Sequence, residues 1–359
     1  MQERDALHAR VRAMVAAYTQ NQEMPEPFDA LAVDLGRYQA RHNPGYARLC
    51  GTRTLERAAD FPAVPTDAFK VTRVATFPEE DARHIFRTSG TTVGQRGAHE
   101  LRDLGSYDAG ALAFGARALR EGLGECDVLV LGPSAQAAPD SSLTHMLDLF
   151  ARAWGKGGSP FFLHTDAGED VFDLVGLDER IARAIVSGAQ VLLLGTSFAF
   201  VHLLDTLGDD TIPLPAGSRI MQTGGFKGRS REVSAPELRA ALARCFHVEP
   251  RNIVQEYGMT ELSSQFYEHT AIDPSAPEGV FYEPPWARVI PVHPDTLTPV
   301  PDGEEGLARI EDLCNVESAF AIQTADRVRR EHGGFVLLGR QPGSPPRGCS
   351  LAIDELLAR

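Results

Sequence analysis

Nowhere in its 359 residues does the chain contain a Gly-Lys-Ser or Gly-Lys-Thr triplet, which excludes the phosphate loop that ends on that signature. Basic residues are in deficit. Lys and Arg number 35 against 49 Asp and Glu, and the net charge of −14 argues against nucleic acid or an anionic membrane as the main partner. Long apolar runs are missing as well: stretches such as Val128–Leu131 and Val191–Leu194 fall far short of a bilayer span. The N-terminus mixes Glu3, Arg4, Asp5, Arg10 and Arg12 with its apolar residues and does not read as a signal peptide. Five cysteines, at 50, 126, 245, 314 and 349, are scattered singly with no C-x-x-C pair. Zinc and dithiol-redox readings are therefore weak, and a reduced, cytoplasmic setting is expected.

What is present suffices for one large domain or two smaller ones, with 43% hydrophobic and 23% charged residues. Leu7, Val11, Met14, Val15 and Tyr18 recur at helical spacing over residues 5–19. A second predicted helix starts near Pro27, runs through Leu31, Leu35 and Tyr38, and stops before Asn43-Pro44-Gly45. Val64 to Lys70 reads as a fixed loop feeding a short helix. Further on, predicted strands at 128–132, 190–196, 219–223 and 252–256 alternate with predicted helices at 143–154, 171–187, 198–207 and 237–246. That alternation predicts a mostly parallel sheet covered on both faces. Beyond 275 the chain reads as short strands only, at 280–282, 287–292, 306–311, 319–323 and 335–338. The expected fold class is α/β, with a body over 1–274 and a small β-subdomain over 275–340. The Gly/Pro-rich stretch from Gly339 to Cys349 makes 341–359 a C-terminal arm, expected to be mobile because it is too poor in apolar residues to pack alone.

The chemistry centres on Phe86-Arg87-Thr88-Ser89-Gly90-Thr91-Thr92-Val93-Gly94-Gln95-Arg96-Gly97. Glycines let the backbone turn tightly and bring its N–H groups against a ligand, interleaved hydroxyls add donors, and a guanidinium offers a fixed fork of charge. In an acidic chain, Arg83, Arg87 and Arg96 make this a local anion site, read as a phosphate cradle. Gln255-Glu256-Tyr257-Gly258-Met259-Thr260-Glu261 follows a predicted strand, on the loop where α/β sheets present ligand groups. Tyr257 offers a flat face for a base, Thr260 a hydroxyl for a phosphate oxygen, and Glu261 a hard oxygen for magnesium. Asp326, after another predicted strand, is placed to accept hydrogen bonds from the two hydroxyls of a ribose. Taken singly, each reads equally as a loop or cap residue; their order along one chain is the specific feature.

These three segments resemble the nucleotide-binding signatures of the adenylate-forming superfamily. The chain is more narrowly similar to LuxE-type acyl-protein synthetases. That narrower likeness rests on Phe28 to Cys50 with its Arg37-Tyr38-Gln39 and Asn43-Pro44-Gly45-Tyr46, on Val64 to Lys70, on Gly224-Gly225-Phe226-Lys227, and on Arg347-Gly348-Cys349-Ser350-Leu351. It implies the large N-terminal domain of an adenylate-forming enzyme, ATP and Mg²⁺, and activation of a carboxylic (fatty) acid as acyl-adenylate. The acyl group would pass to the chain's own Cys349 and on to a partner such as an acyl reductase or acyl carrier.

By this resemblance Thr88, Ser89, Gly90, Thr91 and Thr92 wrap phosphates, with Arg96 standing where a lysine is usual. Gly224 and Gly225 line a floor shared by adenine and acyl group. Glu256, Tyr257 and Gly258 border adenine, Thr260 touches the α-phosphate, and Glu261 holds Mg²⁺. Asp326 grips the ribose with Arg340 at its edge. Segments 134–142 and 161–164 are expected to shape the acyl pocket. Two departures stand out. The chain stops just after the segment matching the family hinge, where full-length ligases continue into a domain supplying a catalytic lysine, and Gln341-Pro342-Gly343 replaces the hinge acid. The missing cation then falls to Arg96, Lys227 or a partner. An acid ligase or acyltransferase loading coenzyme A or a carrier protein, and a nucleotide-binding subunit without catalysis of its own, are the rival readings.

Overall fold

The computed structural model describes residues 2–88, 96–156, 158–166, 169–224, 233–342 and 347–357, with the backbone alone at 165–166, 169–170 and 347–350. Its helices are α1 (Glu3–Thr19), α2 (Phe28–His42), α3 (Pro44–Cys50), α4 (Ala68–Val71) and α5 (Gly105–Gly115). They continue with α6 (Ser142–Trp154), α7 (Leu174–Ser187), α8 (Ser197–Leu207), α9 (Ala235–Phe246) and α10 (Arg347–Leu357). The strands are β1 (Val64–Pro65), β2 (His84–Arg87), β3 (Ala98–Leu101), β4 (Cys126–Leu131), β5 (Leu163–Asp166), β6 (Glu169–Phe172), β7 (Gln190–Thr196) and β8 (Arg219–Thr223). Then come β9 (Ile253–Tyr257), β10 (Phe266–Glu268), β11 (Val280–Tyr282), β12 (Ala287–Val292), β13 (Glu305–Asp312), β14 (Ala321–Glu331) and β15 (Gly334–Arg340). No described helix is long and apolar enough to cross a membrane.

The chain divides into two compact units that interleave in sequence. One comprises Met1–Ala113, Met259–Gln265 and Tyr282–Arg359; the other comprises Phe114–Gly258 and Phe266–Phe281.

In the second unit β4, β7, β8 and β9 run parallel in that order, and β10 pairs antiparallel with β9. Their near-continuous apolar runs follow from burial on both faces. On one face Leu129, Leu131, Val191, Leu193 and Ile220 pack with Leu177 and Ile181 of α7, Phe200 of α8, and Leu242 and Phe246 of α9. Phe162 and Leu163 belong to the same core. Helix starts are set by short polar caps: Ser141 accepts from the Thr144 amide, Thr196 from Ala199, and Ser234 with Glu237 forms a reciprocal capping box. Asp173 accepts from the Gly176 amide, so α7 begins at Leu174 rather than at 171, and residues 169–172 form a strand instead.

In the first unit β12, β13, β14 and β15 form an antiparallel meander. The helical N-terminal segment is tied to these strands from several directions. β1 pairs parallel with β14, Val64 opposite Ile322. Arg309 of β13 donates to the Ala58 and Phe61 carbonyls at 3.1 and 2.9 Å. The Gln39 amide, fully buried, donates to the Asn315 carbonyl at 2.7 Å and accepts from the Phe320 amide at 3.0 Å. These ties group 282–340 with residues 1–113 rather than leaving 275–340 as a separate appendage.

The C-terminal segment differs from its expectation. Residues 347–357 are helical, and α10 packs on α3 and beside β1 with Ala352 and Leu356 buried. The apolar residues that anchor it follow the Gly/Pro stretch, whose composition dominates any reading of this end.

Candidate active site

The cradle segment begins and ends on a hairpin. β2 and β3 pair antiparallel with Phe86 opposite His99 and Arg87 opposite Ala98. Thr88 and Gly97 close it with two bonds: the Thr88 amide donates to the Gly97 carbonyl at 2.9 Å, and the Gly97 amide donates to Thr88 Oγ1 at 2.9 Å. Arg96 braces the same junction, its Nε donating to the Thr88 carbonyl at 2.7 Å and its Nη2 to the Arg87 carbonyl at 3.3 Å. Ser89, Gly90, Thr91 and Thr92 lie outside the described residues, as do Gly225 and Lys227.

His99, which carries no recognisable motif, joins this hairpin to the Thr260-Glu261 segment. It is fully buried, and its Nδ1 lies 2.8 Å from the Thr260 carbonyl oxygen. Burial pulls its pKa down to about 4, so the ring is neutral, and because a carbonyl only accepts, Nδ1 must carry the hydrogen. Below Thr260 a buried polar network fixes the chain. Asn315 Nδ2 donates to the Glu261 carbonyl at 2.9 Å, and Ser263 Oγ bonds Asn315 Oδ1 at 2.7 Å. Asp312 accepts from the Ser263 amide at 2.8 Å, Ser264 Oγ at 2.7 Å and the Cys314 amide at 3.0 Å. Glu261 itself is 6% exposed.

Asp326 and Arg340, both sequence-predicted, face each other across β14 and β15 as a register pair, with Arg340 Nε 3.8 Å from Asp326 Oδ1. A register shift interrupts the β14–β15 pairing between Asp326 and Val328, midway along β14, and Asp326's amide donates to Thr324 Oγ1 at 3.0 Å.

In the second unit Glu256, Tyr257 and Gly224 sit at the carboxyl ends of β8 and β9. Thr223 and Glu256 are register partners, and the Thr223 hydroxyl donates to Glu256 Oε2. Burial raises the Glu256 carboxyl to about 7 against an ordinary 4.5, the Thr223 bond opposing it. Gly224 takes φ of 71° with open space where a Cβ would stand, so its backbone conformation, not crowding, calls for glycine. The Tyr257 ring lies 5.9 Å from Phe266 and 6.1 Å from Phe281. β9 is anchored by Glu268, which takes both Arg239 Nη2 contacts at 2.6–2.7 Å and accepts the Gln255 amide at 2.8 Å.

Glu256 yields a pH prediction. The unfolded chain releases this proton near 4.5 and the folded one near 7, so raising pH across that window destabilises the fold by about 3 kcal/mol through this group, with no further change above it. Glu256→Gln is therefore expected to gain stability relative to the parent between pH 5 and pH 8, read by urea unfolding at both. An unchanged difference would contradict the assignment.

Cys50, Cys126, Cys245 and Cys314 are all buried. Burial raises each thiol, Cys50 to about 11 and Cys314 well above the usual range. Cys349 lies in the first turn of α10.

A solved 2-hydroxyisobutyryl-CoA ligase, in the postadenylation state with 2-HIB-AMP, shares the fold at a TM-score of 0.61 and 14% identity, over 87% of this chain and 67% of that one. The chain spans about half (49%) of ATP-bound MatB from Rhodopseudomonas palustris, at 19% identity, 74% coverage of this chain and a TM-score of 0.47. The long-chain-fatty-acid–luciferin-component ligase of Vibrio harveyi is 24% identical over 355 residues, covering 93% of this chain and 89% of its own length. The family described as acyl-protein synthetase, LuxE, matches residues 18–357, and the chain belongs to that family.

Proposed function

We propose that the protein activates a long-chain fatty acid with ATP as an acyl-adenylate and takes the acyl group onto Cys349. A carboxylate oxygen of the acid attacks the α-phosphorus, and the bond to the leaving pyrophosphate breaks. The Cys349 thiolate then attacks the acyl carbon, the bond to AMP breaks, and a thioester is left on the protein. Delivery to a partner protein such as an acyl reductase, in a cytosolic setting, completes the reading.

The observation that carries the acyl-enzyme half is the state of the thiols. The four described cysteines are buried and held protonated, which makes them poor nucleophiles. Cys349, two residues after Arg347, remains. For the adenylation half the roles come from the resemblance: Thr88 and Arg96 would flank the phosphate loop, Thr260 would touch the α-phosphate, and Tyr257 with Glu256 would border the base. Asp326 would accept from the ribose, with the Arg340 cation beside it. By the same resemblance Ser89, Gly90, Thr91, Thr92, Gly225 and Lys227 complete the assignment.

The donor set fits Mg²⁺. Glu261 contributes a hard carboxylate oxygen. That suits an ion that keeps several waters and takes phosphate oxygens. When bound, Mg²⁺ would neutralise charge on the phosphates. Glu261's own part is to hold a carboxylate in place on a backbone fixed by Asn315.

The test is exchange of labelled pyrophosphate into ATP. Exchange that depends on a long-chain fatty acid is expected; its absence with every acid would overturn the adenylation step. AMP release that requires added coenzyme A, with no acyl adduct on the protein, would overturn the assignment of Cys349.

A further inference from the structure

Asn43-Pro44-Gly45-Tyr46 takes no part in the nucleotide chemistry, yet its place in the fold is closely specified. Asn43 Oδ1 accepts from the Tyr46 amide at 3.0 Å and caps α3, while Asn43 Nδ2 donates to the Ala75 carbonyl at 3.3 Å. Tyr46 is buried, and its hydroxyl donates to the Pro62 carbonyl at 3.1 Å. Pro44 occupies the first helical turn, where a missing N–H does no harm.

Onto this fixed helix start comes α10. Ala352 and Leu356 are 8% and 4% exposed and stand four residues apart on one face, whereas Leu351 and Leu357 are 54% and 45% exposed. A Cβ on Gly45 would lie 3.2 Å from the Leu356 carbonyl oxygen and 3.6 Å from its Cδ2, so glycine permits the close approach. Arg48 sits on the same helix as Gly45, and its Nη2 donates to the Leu356 carbonyl at 2.7 Å. That carbonyl belongs to the last turn of α10, whose acceptors have no partner within the helix, and a cation there also complements the helix dipole. Cys349 precedes Leu356 by seven residues in this helix, roughly 10 Å at the α-helical rise.

Resting on the reading of Cys349 as acyl acceptor, we propose that Arg48 is a positioning residue for acyl transfer: by capping the C-terminus of α10 on α3 it fixes where Cys349 stands. A helix of 11 residues does not persist alone in water, so the dock maintains both its helicity and its place. Released, Cys349 would hang from Arg340 on a tether reaching up to about 30 Å, and the advantage of a held nucleophile would be lost.

The experiment compares the parent with Arg48→Met, Arg48→Lys and Leu356→Ala. Two rates are followed in each: acid-dependent pyrophosphate exchange, and growth of the acyl adduct by intact mass in a single turnover. Exchange is expected to stay within about twofold, while adduct formation slows roughly tenfold in Arg48→Met and Leu356→Ala and recovers in Arg48→Lys. Parent-like adduct formation in both slowed variants would overturn the proposal, and so would exchange and adduct formation falling together, which is what a merely structural role gives. An adduct that survives in Cys349→Ala would instead remove the acceptor reading on which this inference stands.

Discussion

Glu261→Gln is expected to lower fatty-acid-dependent pyrophosphate exchange by about 10²- to 10³-fold, the scale for removing one preorganised group that stabilises developing charge. The change keeps the shape of the side chain, removes its charge and turns one acceptor oxygen into an NH₂ donor. The Glu261 backbone is held by Asn315, and the next residues by Asp312, so the glutamine should stand where the carboxylate stood. Exchange and the urea midpoint are measured on the same sample. A midpoint near the parent's with exchange lost supports a role for the charge. Exchange within threefold of the parent would mean that another group holds the metal.

Asp312→Ala carries the largest expected stability effect, about 3–5 kcal/mol, from three buried donors left without an acceptor. Asp312 is fully buried and accepts three hydrogen bonds, from the Ser263 and Cys314 amides and from Ser264 Oγ. Burial pushes its carboxyl upward and those donors pull it back. Truncation leaves all three donors in the interior without an acceptor, at a cost of about 1–3 kcal/mol each before relaxation. Because Ser263 and Ser264 follow Thr260-Glu261 with only Leu262 between, exchange should fall as well. Urea unfolding checks the first effect; a loss below about 1 kcal/mol would show that the network rearranges around the gap.

How far the sequence carried can be read from particular elements. The strands expected at 190–196 and 219–223 are β7 and β8 residue for residue, because parallel strands covered on both faces read as unbroken apolar runs. The Tyr257–Glu261 segment was singled out because its residue types follow a strand, and β9 does end at Tyr257; Asp326 was expected just past a strand ending at 323 but lies inside the longer β14. His99 was not. Its partner is a backbone carbonyl 161 residues away, and nothing in Ala98-His99-Glu100 announces it. Gln39 was noticed within a segment of the family resemblance, but its work, bridging to Asn315 and Phe320, depends on contacts across more than 270 residues. α5 escaped notice because two glycines and a serine open the sequence Gly105-Ser106-Tyr107-Asp108-Ala109-Gly110. α10 escaped because composition was weighed over the whole arm, while two buried side chains and one arginine on α3 suffice to dock its last eleven helical residues.

The central claim, that this LuxE-family chain loads an activated acyl group onto Cys349, is tested most directly by intact-protein mass spectrometry after incubation with Mg²⁺-ATP and a panel of fatty and aryl acids. The parent is expected to gain the mass of one acyl group from a long-chain acid, released by hydroxylamine, and Cys349→Ala to gain none while still exchanging pyrophosphate. An adduct of the same size on Cys349→Ala, or a parent that exchanges pyrophosphate but never gains mass, would contradict it.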